Sequence, residues 1–574
     1  MEPELREWIE RRFAVPRAGA PKVTSLRAAI ADNVRAGDTI HLGVTHSRGS
    51  AANWELVRQF IGADPGFTLA GVTFSSPFAP LVHAGLARKI VTSWAGDSYW
   101  TPGPNGAYQR AWNAGIPFEH WSILTFGQRL AAAARGVSHA TTHSLVGSAM
   151  ERNDGVEIRG ETAFIPALRP DVSIFHAPAA DEYGNVLFSP PMMEDVHGAL
   201  AAKRGAIVTV DRVVDSDFLR AHAHMARIPS SAVAAVVEAP FGAHPGGLLP
   251  TGIAGMQGYV EDYEFWVDIR NAAKDPGAFD AWIKEWILEP ATHEGYVARL
   301  GSARLEALQA RTTVEWAARD LEEGVARIDF GEEPNAIEWA IVAAARELRA
   351  RIASNGYTTM LAGAGMANLA AWIAAYDLAG AGINVDLVAE MGLVGYWPRP
   401  MEPILFNQRN FPTCTMLAGV DQTLGVIVGG ASARSIGALG AAQVDKHGNI
   451  NSTEIPGRML LMGSGGANDV ITSATETLVV ATQTKERFLD RVDYVTGPGG
   501  RVQTLVSTLG VYRKDGGELI LTGVFGDPDE SAREAVARCG WPLRVARTLD
   551  RIAPPNPDEL RMLRLFDPNA WFRK

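Results

Sequence analysis

Only two cysteines, Cys414 and Cys539, stand among 574 residues, far apart and outside any CxxC or Cys/His spacing. That excludes a disulfide framework and a thiolate zinc site, and it suits a reducing compartment, so a cytoplasmic location is expected. An uninterrupted apolar run long enough to span a bilayer is also missing, and Met1-Glu2-Pro3-Glu4-Leu5-Arg6 has no apolar h-region. Positive charge is in deficit: the formal net charge is −11. A general binder of nucleic acid or of membrane surfaces is therefore not expected, although a local basic pocket for an anion remains open. His222 and His224 are two apart with no third ligand type nearby, and no metal is expected.

What is present is an ordinary soluble composition, 47% hydrophobic and 20% charged, on a chain too long for one core. Residues 1–24 read as an N-terminal arm. From Ser25 the pattern alternates helix and strand: helix Leu26 to Val34, strand Thr39 to Gly43, helix Ala51 to Phe60 and a strand from Thr68 to Phe74. Buried strands are expected at Asp171 to His176 and Ala206 to Val210. This alternation is the signature of a parallel α/β sheet. Aromatic-rich helices fill 251–325, Asp329 to Asn335 reads as a linker, and alternation restarts with helix Ala336–Ala353 and strand Tyr357–Leu361.

The two stretches look like copies of one plan. Gly37-Asp38-Thr39-Ile40-His41-Leu42 parallels Gly356-Tyr357-Thr358-Thr359-Met360-Leu361 at an offset of 319 residues. Asp181-Glu182-Tyr183-Gly184-Asn185-Val186 parallels Asp445-Lys446-His447-Gly448-Asn449-Ile450 at an offset of 264, so the first half carries 55 extra residues between the landmarks. The expected fold class is α/β, with two tandem, similar parallel-sheet domains at 25–328 and 329–574.

One stretch aims a carboxylate at a turn. Ile383, Val385 and Leu387 alternate as a short strand would, Glu390 ends it, and Gly392 permits a sharp turn. The carboxyl end of a strand in an open α/β sheet is where ligands bind. At its ordinary pKa a glutamate is ionised at neutral pH and attacks without a partner base. The position pairing with Glu390 in the first half is Gly71, so only the second half carries this acid. Met462-Gly463-Ser464-Gly465-Gly466-Ala467-Asn468-Asp469 exposes backbone N–H groups suited to an oxyanion or a phosphate. Gly363-Ala364-Gly365-Met366-Ala367-Asn368 follows a strand, but Asn368 replaces the third glycine of a dinucleotide fingerprint, and a plain glycine turn is the better reading. Glu119, beside Phe118 and Trp121, is the best second carboxylate.

These landmarks, in order, resemble the family I CoA-transferases, and within them glutaconate CoA-transferase-like proteins with A and B subunits fused in one chain. The matching segments are Leu42–Leu56, Asp171–Asn185, Val236–Pro245, Phe279–Ala303, Val388–Gly395, Gly437–Thr453, Gly463–Asp469 and Lys485–Gly499. The resemblance implies an A-like region at 25–328 and a B-like region at 329–574, with Glu390 in Glu390-Met391-Gly392 as the catalytic nucleophile. It implies CoA transfer between an acyl-CoA and a free carboxylic acid through a glutamyl-CoA thioester, with coenzyme A as substrate and no metal. Gly463, Gly465, Gly466 and Ala467 would serve the oxyanion or bind CoA. Where the family has Gly-Gly-Phe, this chain has Gly43-Val44-Thr45, followed by His46 and Arg48; Tyr396-Trp397-Pro398-Arg399 follows the glutamate. Both segments are expected near the acyl pocket, with Ser75 and Glu119. Arg48 and Arg399 are candidates for the distal carboxylate of a dicarboxylate. A homo-oligomer is expected. Two other readings stay open: a CoA-thioester or ring-opening hydrolase using Glu119, and a non-catalytic CoA- or nucleotide-binding regulator.

Overall fold

The computed structural model describes residues 1–574 except 16–18, 45–47, 192–193 and 407. Thr45 and His46, expected beside the acyl pocket, lie outside the described residues.

Two parallel-rich sheets organise the chain. In the first, Thr39–Leu42 lies between Phe67–Ala70 and Val172–Asp181 and runs parallel to both. Ala206–Val214 and Val233–Glu238 extend it on one side, and Ala87–Thr92 and Phe118–His120 on the other. In the second, Thr359–Ala362 lies between Asp386–Ala389 and Ser435–Gly440, followed by Glu476–Ala481 and Val502–Ser507. Val172–Asp181 and Glu476–Ala481 are buried at every position, as expected of strands covered on both faces.

In chain order the five strands shared by the sheets stand 2-1-3-4-5 in each. The order reverses beside the first strand, and at such a switch point a crevice opens outside the carboxyl ends. The extra residues of the first half house its two added strands, Ala87–Thr92 and Phe118–His120. The duplication reaches single hydrogen bonds. Oδ1 of Asp181 accepts from N–H of Tyr183 and Asn185, and Oδ2 accepts from the Asn185 amide. Asp445 makes the same three bonds to His447 and Asn449. Gly184 and Gly448 both hold positive φ, +92° and +81°, where glycine carries no steric penalty.

Strand ends differ from the sequence reading in two places. The strand before Glu390 is Asp386–Ala389, so Ile383 and Val385 lead into it and Glu390 is the first residue of the turn. The expected strand to Phe74 breaks at Gly71 into Phe67–Ala70 and Thr73–Phe74, where the Gly71 backbone packs on the Leu42 carbonyl.

Residues 329–335 are irregular and held to the second sheet's helix. Asn335 caps Ala336–Asn355, with Glu338 closing the capping box. Buried Glu338 also takes Arg564 at 3.0 Å and Arg573 at 3.2 Å, while Arg564 reaches the carbonyls of Asp329 and Glu332. Among the described residues no helix is long and apolar enough to cross a membrane.

One apolar cluster joins Leu42, Phe74 and Phe126 of the first half to Leu424, Val470 and Phe488 of the second. We propose the boundary between the halves at 328/329. Coexpressed fragments 1–328 and 329–574 should then copurify as a complex, because each alone would expose apolar area otherwise worth about 25 cal/mol per Å² buried. Two soluble fragments that never associate on a sizing column would refute this division.

Candidate active site

Glu390 stands one residue beyond the carboxyl end of Asp386–Ala389. The turn after it depends on Gly392 at φ +110°. A side chain there would collide with the Ala418 carbonyl and lie 2.8 Å from Cβ of Pro191, a residue of the first half. Thr423 Oγ1 donates to the Glu390 carbonyl at 2.8 Å and fixes the turn from behind.

The glycine loop reaches Glu390 from the other side. Its backbone docks on the first half: Gly465 N–H donates to Ser93 O at 3.0 Å, Ala95 N–H to Met462 O at 2.7 Å, and Ile123 N–H to Gly465 O at 3.1 Å. Gly463 N–H is used by Ser452 O and Ala467 N–H by Ser464 O. Gly466 is different, since its N–H faces the Glu390 carboxyl. A Cβ at Gly466 would collide with Glu390 Oε2. Of the four loop residues singled out in the sequence, three spend their N–H groups on backbone carbonyls and one faces the acid.

Three residues further along, buried Asp469 clamps the halves together. Its carboxylate accepts from Ser122 Oγ at 2.5 Å, Ser144 Oγ at 2.7 Å and Leu124 N–H at 3.1 Å. Asn468 adds a bond from Leu145 N–H at 2.9 Å. Burial raises the Asp469 carboxyl to about 6, with those three donors opposing the rise. Glu390 goes further. Burial first, then the negative charge of Asp469, push it up to about 8, and the Gly466 N–H only partly offsets them. At neutral pH Glu390 is therefore mainly protonated, contrary to the ionised state expected from its ordinary pKa.

The other candidates separate clearly. Ser75 is buried with its Oγ unpartnered among the described residues. It follows Thr73–Phe74, which pairs with Trp94–Ala95, and Trp94 pairs with Gly463, so Ser75 belongs to the ribbon lying on the glycine loop. Arg48 gives Nη1 to Glu261 at 3.0 Å and stacks its guanidinium over Trp266 at 4.6 Å; its Nε–H is buried without an acceptor among the described residues. Its charge is thus already balanced. Arg399 is exposed and lies near Tyr376, and among the described residues no bond or ion pair joins it to Glu390. Glu119 is held by Lys89 at 2.6 Å, Arg129 at 3.1 Å and Trp121 Nε1 at 2.6 Å. Burial alone would raise its carboxyl, but these partners outweigh burial and keep it below the usual range. It is an ionised, salt-bridged acid and not a poised base. Asp469, Ser122, Ser144 and Trp94 were not recognised from sequence. Asp469 stood in the quoted loop, but its serine partners lie 347 and 325 residues away.

A family model described as coenzyme A transferase matches residues 23–239 and 430–510; Glu390 lies between the two matched segments. The A component of the 3-oxoadipate CoA-transferase of Pseudomonas knackmussii is 30% identical over 298 residues, covering 49% of this chain and 99% of that polypeptide. The B component of the same enzyme is 29% identical over 153 residues, 23% of this chain and 58% of that polypeptide. The crystal structure of an acyl-CoA transferase apoenzyme from Escherichia coli shares the fold. It superposes with a TM-score of 0.65 at 14% identity, over 97% of this chain and 98% of that one.

The raised Glu390 pKa has a measurable sign. A carboxyl raised on folding binds protons more tightly in the native state, so its stabilising contribution is complete below about 4.5 and is lost as pH rises towards about 8. Stability of the wild type relative to Glu390→Gln should fall between pH 5 and 9, read by denaturant unfolding with Asp469 present in both. A constant difference across that range would show that Glu390 is not raised.

Proposed function

This chain belongs to the coenzyme A transferase family, with A-like and B-like regions in one polypeptide, and on that premise we propose that Glu390 carries CoA covalently between an acyl-CoA and a free carboxylic acid. Coenzyme A is the substrate and carrier. The single observation supporting this reading is the meeting of Gly466 N–H with the Glu390 carboxyl at the carboxyl end of a strand.

The ionised fraction of Glu390 attacks the thioester carbonyl, the C–S bond breaks, CoA leaves as thiolate, and an acyl-glutamyl anhydride remains. The thiolate then attacks the side-chain carbonyl of Glu390 and expels the acyl group as its carboxylate, leaving a glutamyl-CoA thioester. An acceptor carboxylate runs the two steps in reverse. In the second step the oxyanion forms on Glu390 itself, where the Gly466 N–H facing its carboxyl is a candidate donor. The raised pKa also has a use. Ionised Glu390 is poorly solvated and repelled by Asp469, so it is strongly nucleophilic, and acylation removes its charge and the repulsion. Arg48 remains the candidate for the second carboxylate of a dicarboxylate, through an Nε–H that has no acceptor among the described residues. Ser75 is the candidate for the acyl wall.

Incubation with acyl-CoA in the absence of acceptor should leave CoA on the peptide containing Glu390, seen by mass spectrometry and removed by borohydride reduction. Glu390→Ala and Glu390→Gln should abolish both adduct and transfer, the latter because a neutral amide is a poor nucleophile. An active Glu390→Ala enzyme would end this mechanism.

Gly466→Ala should leave the protein folded, since its φ of −86° suits any residue, yet push aside the carboxylate it faces. The expected result is a fall in kcat of about 10²–10³ with little change in KM. An effect confined to KM would assign the loop to CoA binding instead.

A further inference from the structure

Away from Glu390, a second set of titratable groups is buried in the first half. His41, on the strand Thr39–Leu42, is fully buried. Its Nδ1 is 2.7 Å from Ser173 Oγ on the neighbouring strand, in register with it. Among the described residues its Nε2 has no hydrogen bond, and it points at Glu194 Oε1, 3.5 Å away. Glu194 is 3% exposed; backbone N–H groups of Val44 and Val72 face it, but among the described residues neither carboxylate oxygen completes a well-formed hydrogen bond. Asp195, also buried, brings a third ligand atom, and the three lie within 4.8 Å of one another. Two of them pack directly on glycine backbone: a Cβ at Gly43 would collide with Asp195 Oδ1, and one at Gly198 with His41 Nδ1.

A carboxyl such as Glu194 and an imidazole nitrogen such as Nε2 of His41, both buried and short of partners among the described residues, are expensive to desolvate unless paired or bound to a cation. We propose that His41, Glu194 and Asp195 form a site for a divalent transition ion of the zinc class. The donor set of one imidazole nitrogen and two carboxylate oxygens is one that zinc accepts, with bonds of about 2.0–2.2 Å, and ligand atoms 3.5 Å apart fit around such an ion. The Ser173 hydroxyl supplies the outer bond that fixes the ring of a ligating histidine. The ion would pin the helix Asp195–Ala201 to the sheet, a structural task separate from the chemistry at Glu390.

The test uses the full chain purified without a histidine tag. Elemental analysis after expression in metal-replete medium should find about one equivalent of metal. Protein stripped with chelator should regain that equivalent from Zn²⁺ or Mn²⁺ with a rise in Tm. Glu194→Gln and His41→Gln should each weaken Zn²⁺ binding by at least about tenfold, and Ser173→Ala by about 10–100-fold, while Glu390→Gln should keep the metal. Wild-type protein that is metal-free as purified and shows no Tm change with either ion would refute the site, and protons would then occupy it. If Glu194→Gln does not fold, X-ray absorption of the Zn²⁺-loaded wild type decides. A shell containing one imidazole nitrogen supports the assignment, and a shell without histidine overturns it.

Discussion

Asp469 is the point at which two sheets become one site. All three of its hydrogen-bond donors come from the other half of the chain, and without them a buried carboxylate would cost several kcal/mol. The clamp acts through short covalent distances. Asp469 fixes the first turn of the helix Ala467–Ser473, that turn fixes Gly466, and Gly466 fixes the resting place of the Glu390 carboxyl. The backbone bonds from Ser93, Ala95 and Ile123 to the glycine loop hold the same geometry from the first half.

Donor number and donor charge together separate Glu119, Asp469 and Glu390. Glu119 has three partners, two of them cationic, and stays ionised. Asp469 has three neutral partners and rises moderately. Glu390 has one backbone N–H and a like charge nearby, and rises furthest of the three. A side chain left short of donors in a buried place holds its proton tightly and, once deprotonated, has few interactions to lose on bonding to carbon. The same reasoning explains why Arg48 is a quieter residue than its position suggests, because Glu261 already balances it.

Much of the fold is readable in the chain because its signals are local. Apolar alternation into Asp386–Ala389, the glycine at 392 and the Asp-x-x-Gly-Asn turns each depend on a few neighbours. The duplication follows from finding those signals twice, and the parallel sheets follow from the alternation of helix and strand. The site was half legible. Glu390 and Gly466 stand in short motifs, whereas Ser122 and Ser144 carry no mark of the acid they bind hundreds of residues later. The ionisation of Glu390 is not legible in the sequence for a related reason: a reference pKa belongs to water, and burial beside Asp469 exists only after folding. The glycine loop promised several free N–H groups, but Ser93, Ser452 and Ser464 carbonyls take all but one of those from the four residues named.

One chain carries both sheets, and the irregular stretch 329–335 lies between them in the sequence. Joining two modules replaces a bimolecular encounter with an intramolecular one, at an effective concentration in the millimolar range for short flexible links. Separate polypeptides must find each other again after every dilution, and each interface contact then counts against dissociation. Here the partner is always present, in a ratio of one to one. The interface can therefore be selected for the accuracy with which it places a carboxyl against an N–H, with little demand on how tightly it binds.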